Sequence, residues 1–273
     1  MISDSMVRRL EEQAVTIRRH VVEVTAEHPC HIGGALSAAD LVTALYFHVM
    51  RIDPADPGRG DRDYFILSKG HGVLALYAAL AERGFFPVEA LKAFEQAGSV
   101  LAAHPTLHVP GVEVATGSLG HGLPVGMGMA IACRVEGVPN RVFVMMGDGE
   151  MQEGSVWEAA LSAPRFKLDN LVAIVDQNRF QAFDAVERIV PVEPLADKWR
   201  SFRWSVIEID GHDMRQVVEA LERPPEAGRP TAIIAQTVKG KGVACLENSP
   251  RAHYTGLTPE EGAEALRALG VTS

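Results

Sequence analysis

The 273-residue sequence predicts a single α/β domain, a mostly parallel sheet flanked by helices on both faces. Five short apolar runs recur along it: YFIL (64–67), RVFVMM (141–146), LVAIVD (171–176), WSVIEI (204–209) and TAIIAQT (231–237). Segments of helical periodicity lie between most of them. The runs are continuously apolar, as expected of strands covered on both faces by crossover helices.

Each element follows from local chemistry. Val7, Leu10, Ala14, Ile17, Val21 and Val24 fall at three- and four-residue steps, so the first two dozen residues form an amphipathic helix that ends near Pro29. Ser37 with Asp40 reads as a capping box for a second helix over Leu41, Val42, Leu45, Tyr46 and Val49. A loop rich in Pro, Asp and Gly, 53–63, precedes the first strand. The segment 116–132, TGSLGHGLPVGMGMAIA, passes from loop into helix. Its Gly122, Gly126 and Ala130 share one face and predict the close approach of another helix. Ser155 and Glu158 suggest a further capping box, and ERPPEAGRP (222–230) reads as an ordinary loop. Thr258, Pro259 and Glu261 start a last, docked helix through Leu266 and Leu269.

Composition excludes several function classes. A formal charge of −9, from 35 acids against 26 bases, leaves no basic footprint for nucleic acid or an anionic membrane. Cys30, Cys133 and Cys245 are odd in number and form no CxxC, so neither a disulfide framework nor a zinc knuckle is expected. A reducing cytoplasm fits. The N-terminus has no apolar signal core, and no run approaches the ~20 apolar residues of a membrane span.

Chemistry concentrates where strands end. RVFVMM runs into Gly147, Asp148 and Gly149, with Glu150 and Glu153 close behind, while LVAIVD runs into Gln177 and Asn178. Ligands of parallel sheets bind beyond the carboxyl ends of strands. A GDG tripeptide alone makes a turn. With Asn178 on the neighbouring strand, Asp148 offers half of an oxygen shell for Mg²⁺, completed by water and phosphate. His31, His71, His104, His121, His212 and His253 lie in loop-like contexts. Several converging on one mouth of the sheet could donate to diphosphate and sugar hydroxyls or move protons. His20 and His48 fall within helices and read as structural. The loop before Gly122 offers backbone N–H groups near a helix N-terminus. A competing motif is GxGxxA at Gly70, Gly72 and Ala75, after a strand and before a helix, which would suit a hydride-transfer enzyme. The acid that should close a second strand is missing, because Glu89 and Glu95 lie in the helical VEALKAFEQ.

Seven stretches, in order, resemble the diphosphate-binding domain of transketolase, a thiamine diphosphate enzyme, across nearly the whole chain. They are HIGGALSAADL (31–41), ILSKGHGVLALYA (66–78), HPTLHVPGVEVATGSLGHGL (104–123), GDGEMQEGSVWEAA (147–160), LVAIVDQN (171–178), DGHD (210–213) and VKGKGV (238–243). The resemblance implies thiamine diphosphate with Mg²⁺, or Ca²⁺ or Mn²⁺ in its place. It implies Asp148, Asn178 and the carbonyl of Phe180 as metal ligands, with Gly149 and His71 on the diphosphate. Gly117, Ser118 and Leu119 would line the cofactor near its aminopyrimidine, and His253 would reach diphosphate and substrate. His31 and His104 resemble the family's sugar-contacting histidines, and Glu153 an acid linking paired active sites. The implied reaction transfers a two-carbon ketol unit from a ketose to an aldose. The family's pyrimidine-binding and C-terminal domains have no counterpart here. The resemblance therefore implies a split enzyme completed by a C-terminal subunit, in an assembly of two copies of each chain.

Departures from the family pattern are Cys30 and Arg203 in place of common glycines, His121 in place of glutamine, and Phe183 with Asp184 in place of Asp-Gly. A deoxyxylulose phosphate synthase, a 2-oxo acid dehydrogenase α chain and a non-catalytic scaffold are the alternatives. HIGGALS, the HP loop with PGVE and VKGKG favour transketolase over the dehydrogenase. Pentose phosphates, a branched apiose-type sugar phosphate and a sulfonated ketose all stay open as substrates.

Overall fold

The computed structural model describes residues 2–270. Helix α1 (Asp4–Glu27) starts where the Ser3 hydroxyl accepts from the Met6 N–H. Helix α2 (Ile32–Ala44) continues into a π-helical turn, Leu45–Val49. Strand β1 (Tyr64–Leu67) leads through a tight turn at Gly70–Gly72 into α3 (Val73–Arg83). After a long loop come α4 (Gly122–Glu136), β2 (Val142–Gly147), α5 (Gly154–Ser162) and β3 (Leu171–Gln177). The short α6 (Val186–Ile189) and α7 (Leu195–Ser201) precede β4 (Ser205–Asp210), α8 (Met214–Glu222), β5 (Thr231–Gln236) and α9 (Pro259–Ala268).

The strands form one parallel sheet in the order β1-β2-β3-β5-β4. Alternate residues of each strand serve two separate cores. Phe65, Leu67, Phe143, Met145, Ile174 and Ile233 pack with α1, α2, α3 and α8. Ile66, Val144, Met146, Ala173, Val175 and Ile234 pack with α4, α5 and α7 around Trp199 and Trp204. Both faces are covered, which is why the runs read as continuously apolar.

Several local readings give way to tertiary partners. Helix α2 begins five residues before Ser37, at Ile32. The buried Ser37 hydroxyl instead donates to Asp176 at 2.6 Å, and Asp40 binds Arg18 of α1. Ser155 is not a cap either, since its hydroxyl donates to the Gly120 carbonyl at 2.9 Å. The exposed Thr258 faces no such competition and forms the full capping box with Glu261. The small face of α4 meets the sheet rather than a helix. A Cβ on Gly126 would collide with Val144 Cγ2, and one on Gly122 would collide with the Ser68 side chain. In the rival nucleotide motif, Gly70 packs against Thr116, and Val88–Ala93 forms a 3₁₀ turn rather than leading to a strand. The run Ile32–Val49, with mean hydropathy 1.3, is long and apolar enough by itself to cross a membrane, contrary to the sequence expectation. Here 83% of it is buried against the surrounding helices, as a core helix.

Candidate active site

Register fixes the site. Gly147 pairs with Asp176 and Gln177 with Gln236, so β2, β3 and β5 end side by side. The Asp148 N–H donates to the Asp176 carbonyl, which sets the GDG turn beside the exit of β3. A cavity of about 290 Å³ opens there. His31, His71, Leu119, Asp148, Gly149, Glu153, Asn178, Phe180 and His253 all line it.

Two buried carboxylates with opposite pKa shifts stand at the strand ends, Asp148 in the cavity lining and Asp176 behind it. Asp176 is fully buried and accepts from Lys69, from the hydroxyls of Ser37 and Thr237, and from the Asn178 amide at 3.1 Å. Burial alone would raise its carboxyl, but the Lys69 ammonium and these donors outweigh it and hold it below the usual carboxylate range. Asp148 accepts only the backbone N–H groups of Gly149, at 2.9 Å, and Arg179, at 2.6 Å. Burial, and then the charge of Asp176, push its carboxyl up to about 7. The charge of the Lys239 ammonium offsets this only in part, so among the described residues an ionised Asp148 has no cation bonded to it.

The neighbouring oxygens suit one. Asn178 is held by Ser37 and Asp176 through its amide nitrogen, which leaves its oxygen for the Phe180 N–H at 3.2 Å or for a cation. The Phe180 carbonyl already draws a positive group, accepting from the Lys239 ammonium at 3.0 Å. One carboxylate, one carboxamide and one backbone carbonyl make a hard-oxygen donor set that fits Mg²⁺, Ca²⁺ or Mn²⁺. Among the described residues, no group of three or more His, Cys, Asp and Glu could hold a metal. Any ion here would thus take amide, carbonyl and ligand oxygens.

Three histidines, His31, His71 and His253, line the cavity, and His104 packs against the first two. The His31 ring lies 4.7 Å from His71, 5.1 Å from His253 and 5.8 Å from His104, centroid to centroid. Burial, then the neighbouring rings, pull His31 down to about 3. Burial likewise pulls His71 and His253 to about 4. These three are neutral imidazoles near pH 7. The cluster is pinned from outside: Tyr77 donates to the His104 carbonyl at 3.0 Å. A two-residue antiparallel bridge, Cys30 with Thr255, ties the segment carrying His31 to the one carrying His253.

The remaining acids divide. Glu150 is buried and accepts from Ser68 and from the N–H groups of Gly120 and Gly147, so it staples the glycine loop to the GDG turn. Glu153 is exposed at the cavity mouth. Gly117, at φ +139, lies so close to His104 that a Cβ would meet its ring at 2.7 Å. Ser118 stands, like Gly117 and His104, beside the cavity rather than in its lining. His121 is exposed at the start of α4 and stays apart from the cluster. His20 and His48 bond Glu82 and Glu222, as structural residues. Sequence reasoning missed Asp176, Lys69 and Lys239. The lysines lie within SKGHG and VKGKG, where glycine is the more visible signal.

The chain matches, over residues 11–273, the family described as transketolase, thiamine diphosphate binding domain. The chain belongs to the transketolase family. It is a transferase component of the transketolase type, with thiamine diphosphate as its cofactor. It is 42% identical to one of the subunits of the apulose-4-phosphate transketolase of Phocaeicola vulgatus, covering 96% of this chain and 94% of that one. It is also 42% identical to the 6-deoxy-6-sulfo-D-fructose transketolase subunit SqwG of a Clostridium species, over 95% and 96% of the two chains. Its fold superposes on Campylobacter jejuni transketolase with a TM-score of 0.90 at 31% identity. That match covers 96% of this chain but 42% of the other, so the chain spans under half the length of that transketolase.

Proposed function

We propose that this chain is the cofactor-binding half of a split transketolase, a single diphosphate-binding domain that moves a two-carbon ketol unit from a ketose to an aldose. One observation carries the reading: the Asp148, Asn178 and Phe180 oxygens and the histidine cluster meet around one cavity at the strand ends. When bound, thiamine diphosphate supplies the electron sink for breaking and making the carbon–carbon bond. The three oxygens would hold Mg²⁺, and Gly149 and His71 would face the diphosphate. The buried Lys239 ammonium, on the same wall, would add positive charge there. Leu119, with Gly117 and Ser118 shaping its loop, would flank the aminopyrimidine.

Imidazoles can donate to diphosphate oxygens or to sugar hydroxyls. His31 and His104 would hydrogen-bond donor hydroxyls and pass a proton, and His253 would reach both substrate and diphosphate. Glu153, exposed at the mouth, would link this site to a second copy. The two subunit-length relatives support a companion chain; it would carry the pyrimidine-binding and C-terminal domains, in an assembly of two copies of each chain. Their names put a branched ketose phosphate and a sulfonated ketose beside pentose phosphates as candidate substrates. The free thiols are in keeping with the cytoplasm.

Co-expression with the adjacent reading frame, followed by assays of the purified pair against several ketose donors and aldehyde acceptors, tests the activity. A thermal shift with thiamine diphosphate and Mg²⁺ should stabilise the pair. No shift with or without the companion would favour a scaffold without turnover.

A further inference from the structure

We infer that His212 is a positioning residue for the cofactor cavity, acting through the backbone of Val238 on the ammonium of Lys239. The inference rests on the proposed function only for the identity of what Lys239 meets.

His212 belongs to DGHD (210–213), a motif with no role in the site described above. The structure gives each of its residues a task. Asp210 accepts the His212 N–H at 2.8 Å and so sets the turn. A Cβ on Gly211 would lie 2.5 Å from Thr237, which brings the turn directly onto the exit of β5. Asp213 caps α8. The His212 ring then spans two elements. Its Nδ1 bonds Asp40 of α2 at 2.6 Å, and its Nε2 accepts the Val238 N–H at 2.9 Å. These partners fix the tautomer, with the proton on Nδ1.

Asp40 cannot yield, since it is buried and also holds the Arg18 guanidinium. The ring, with 12% of its side chain exposed, is a strut between a locked carboxylate and the chain one residue before Lys239. Lys239 places its ammonium 3.0 Å from the Phe180 carbonyl and 3.3 Å from His253 Nδ1, inside the cavity. Neighbouring backbone is held elsewhere: Gly240 donates to Gly33, and the Lys239 carbonyl accepts from Asn248. The Val238 N–H depends on His212.

Two conservative variants separate positioning from structural support. Glutamine can place an acceptor where Nε2 stands, and asparagine a donor where Nδ1 stands. In the full-length chain, His212→Asn should speed amide exchange at Val238 and Lys239 by NMR, while His212→Gln keeps it near wild type. By isothermal titration with Mg²⁺, alone and with the companion chain, His212→Asn should weaken thiamine diphosphate binding about tenfold and His212→Gln less than about threefold. In a Lys239→Met background, His212→Asn should cause no further loss. Unchanged exchange in His212→Asn, the opposite ranking of the two variants, or full additivity with Lys239→Met would each overturn the inference. A wild type that fails to bind thiamine diphosphate would count against the functional reading instead, while amide exchange still decides the role of His212.

Discussion

Asp148 and Asp176 stand at the ends of adjacent strands, both buried, and differ in whether their charge is answered. Asp176 bonds an ammonium, two hydroxyls and an amide; Asp148 bonds two backbone N–H groups, and the Lys239 ammonium acts on it only at a distance. The contrast separates scaffold from site. A carboxylate with all its partners supplied by the fold stabilises that fold, whereas one left short is stabilised by something that arrives from outside.

The sharpest test of the contrast is to exchange the effects. Asp148→Ala should abolish binding of thiamine diphosphate with Mg²⁺ by isothermal titration and leave the urea midpoint of the empty chain unchanged or higher. Retained Mg²⁺-dependent binding would contradict the assignment. Asp176→Ala should do the reverse in kind, costing about 3–5 kcal/mol of stability because the buried Lys69 charge loses its partner; a loss below about 1 kcal/mol in urea melts would make Asp176 as unfinished as Asp148.

Across the cavity, His31→Ala should lower turnover about 100-fold while shifting cofactor affinity less than about threefold. Equal losses would move His31 into the cofactor's own shell. The cluster also predicts a pH dependence. The fold holds His31, His71 and His253 at about 3, 4 and 4, while the unfolded chain protonates them near about 6.5. The unfolded state therefore gains more protons in acid, and stability present above about pH 6.5 falls as pH drops toward 4. Urea midpoints at pH 7 and pH 5 should show it, and His31→Phe should flatten the difference. The smallest effect is expected far from the site. Arg203 sits at φ +68, a left-handed conformation that favours glycine, so Arg203→Gly should raise stability by about 1 kcal/mol with unchanged cofactor binding.

What was legible in the sequence is what neighbours in the chain determine. Five strands, the GDG turn and Asn178 all announce themselves within a few residues, and strand register does the rest. By spacing alone the histidines read as residues in loops, and only the family resemblance assigned residues 31, 71, 104 and 253 to one site, because nothing local says that they cluster. Asp176 was illegible for the same reason: it closes an apolar run, and its partners come from α2, from the turn after β1 and from the end of β5. Capping boxes make the point in miniature. The Ser37 and Ser155 hydroxyls found partners across the fold, and only exposed Thr258, without such partners, kept its local assignment.

The bridge between Cys30 and Thr255 has a consequence for biosynthesis. During translation His31 emerges long before His253, and the wall they share closes only when that late segment folds back along Cys30. Until residues 253–255 are made and folded back, the segment carrying His31 holds only an open half of the pocket.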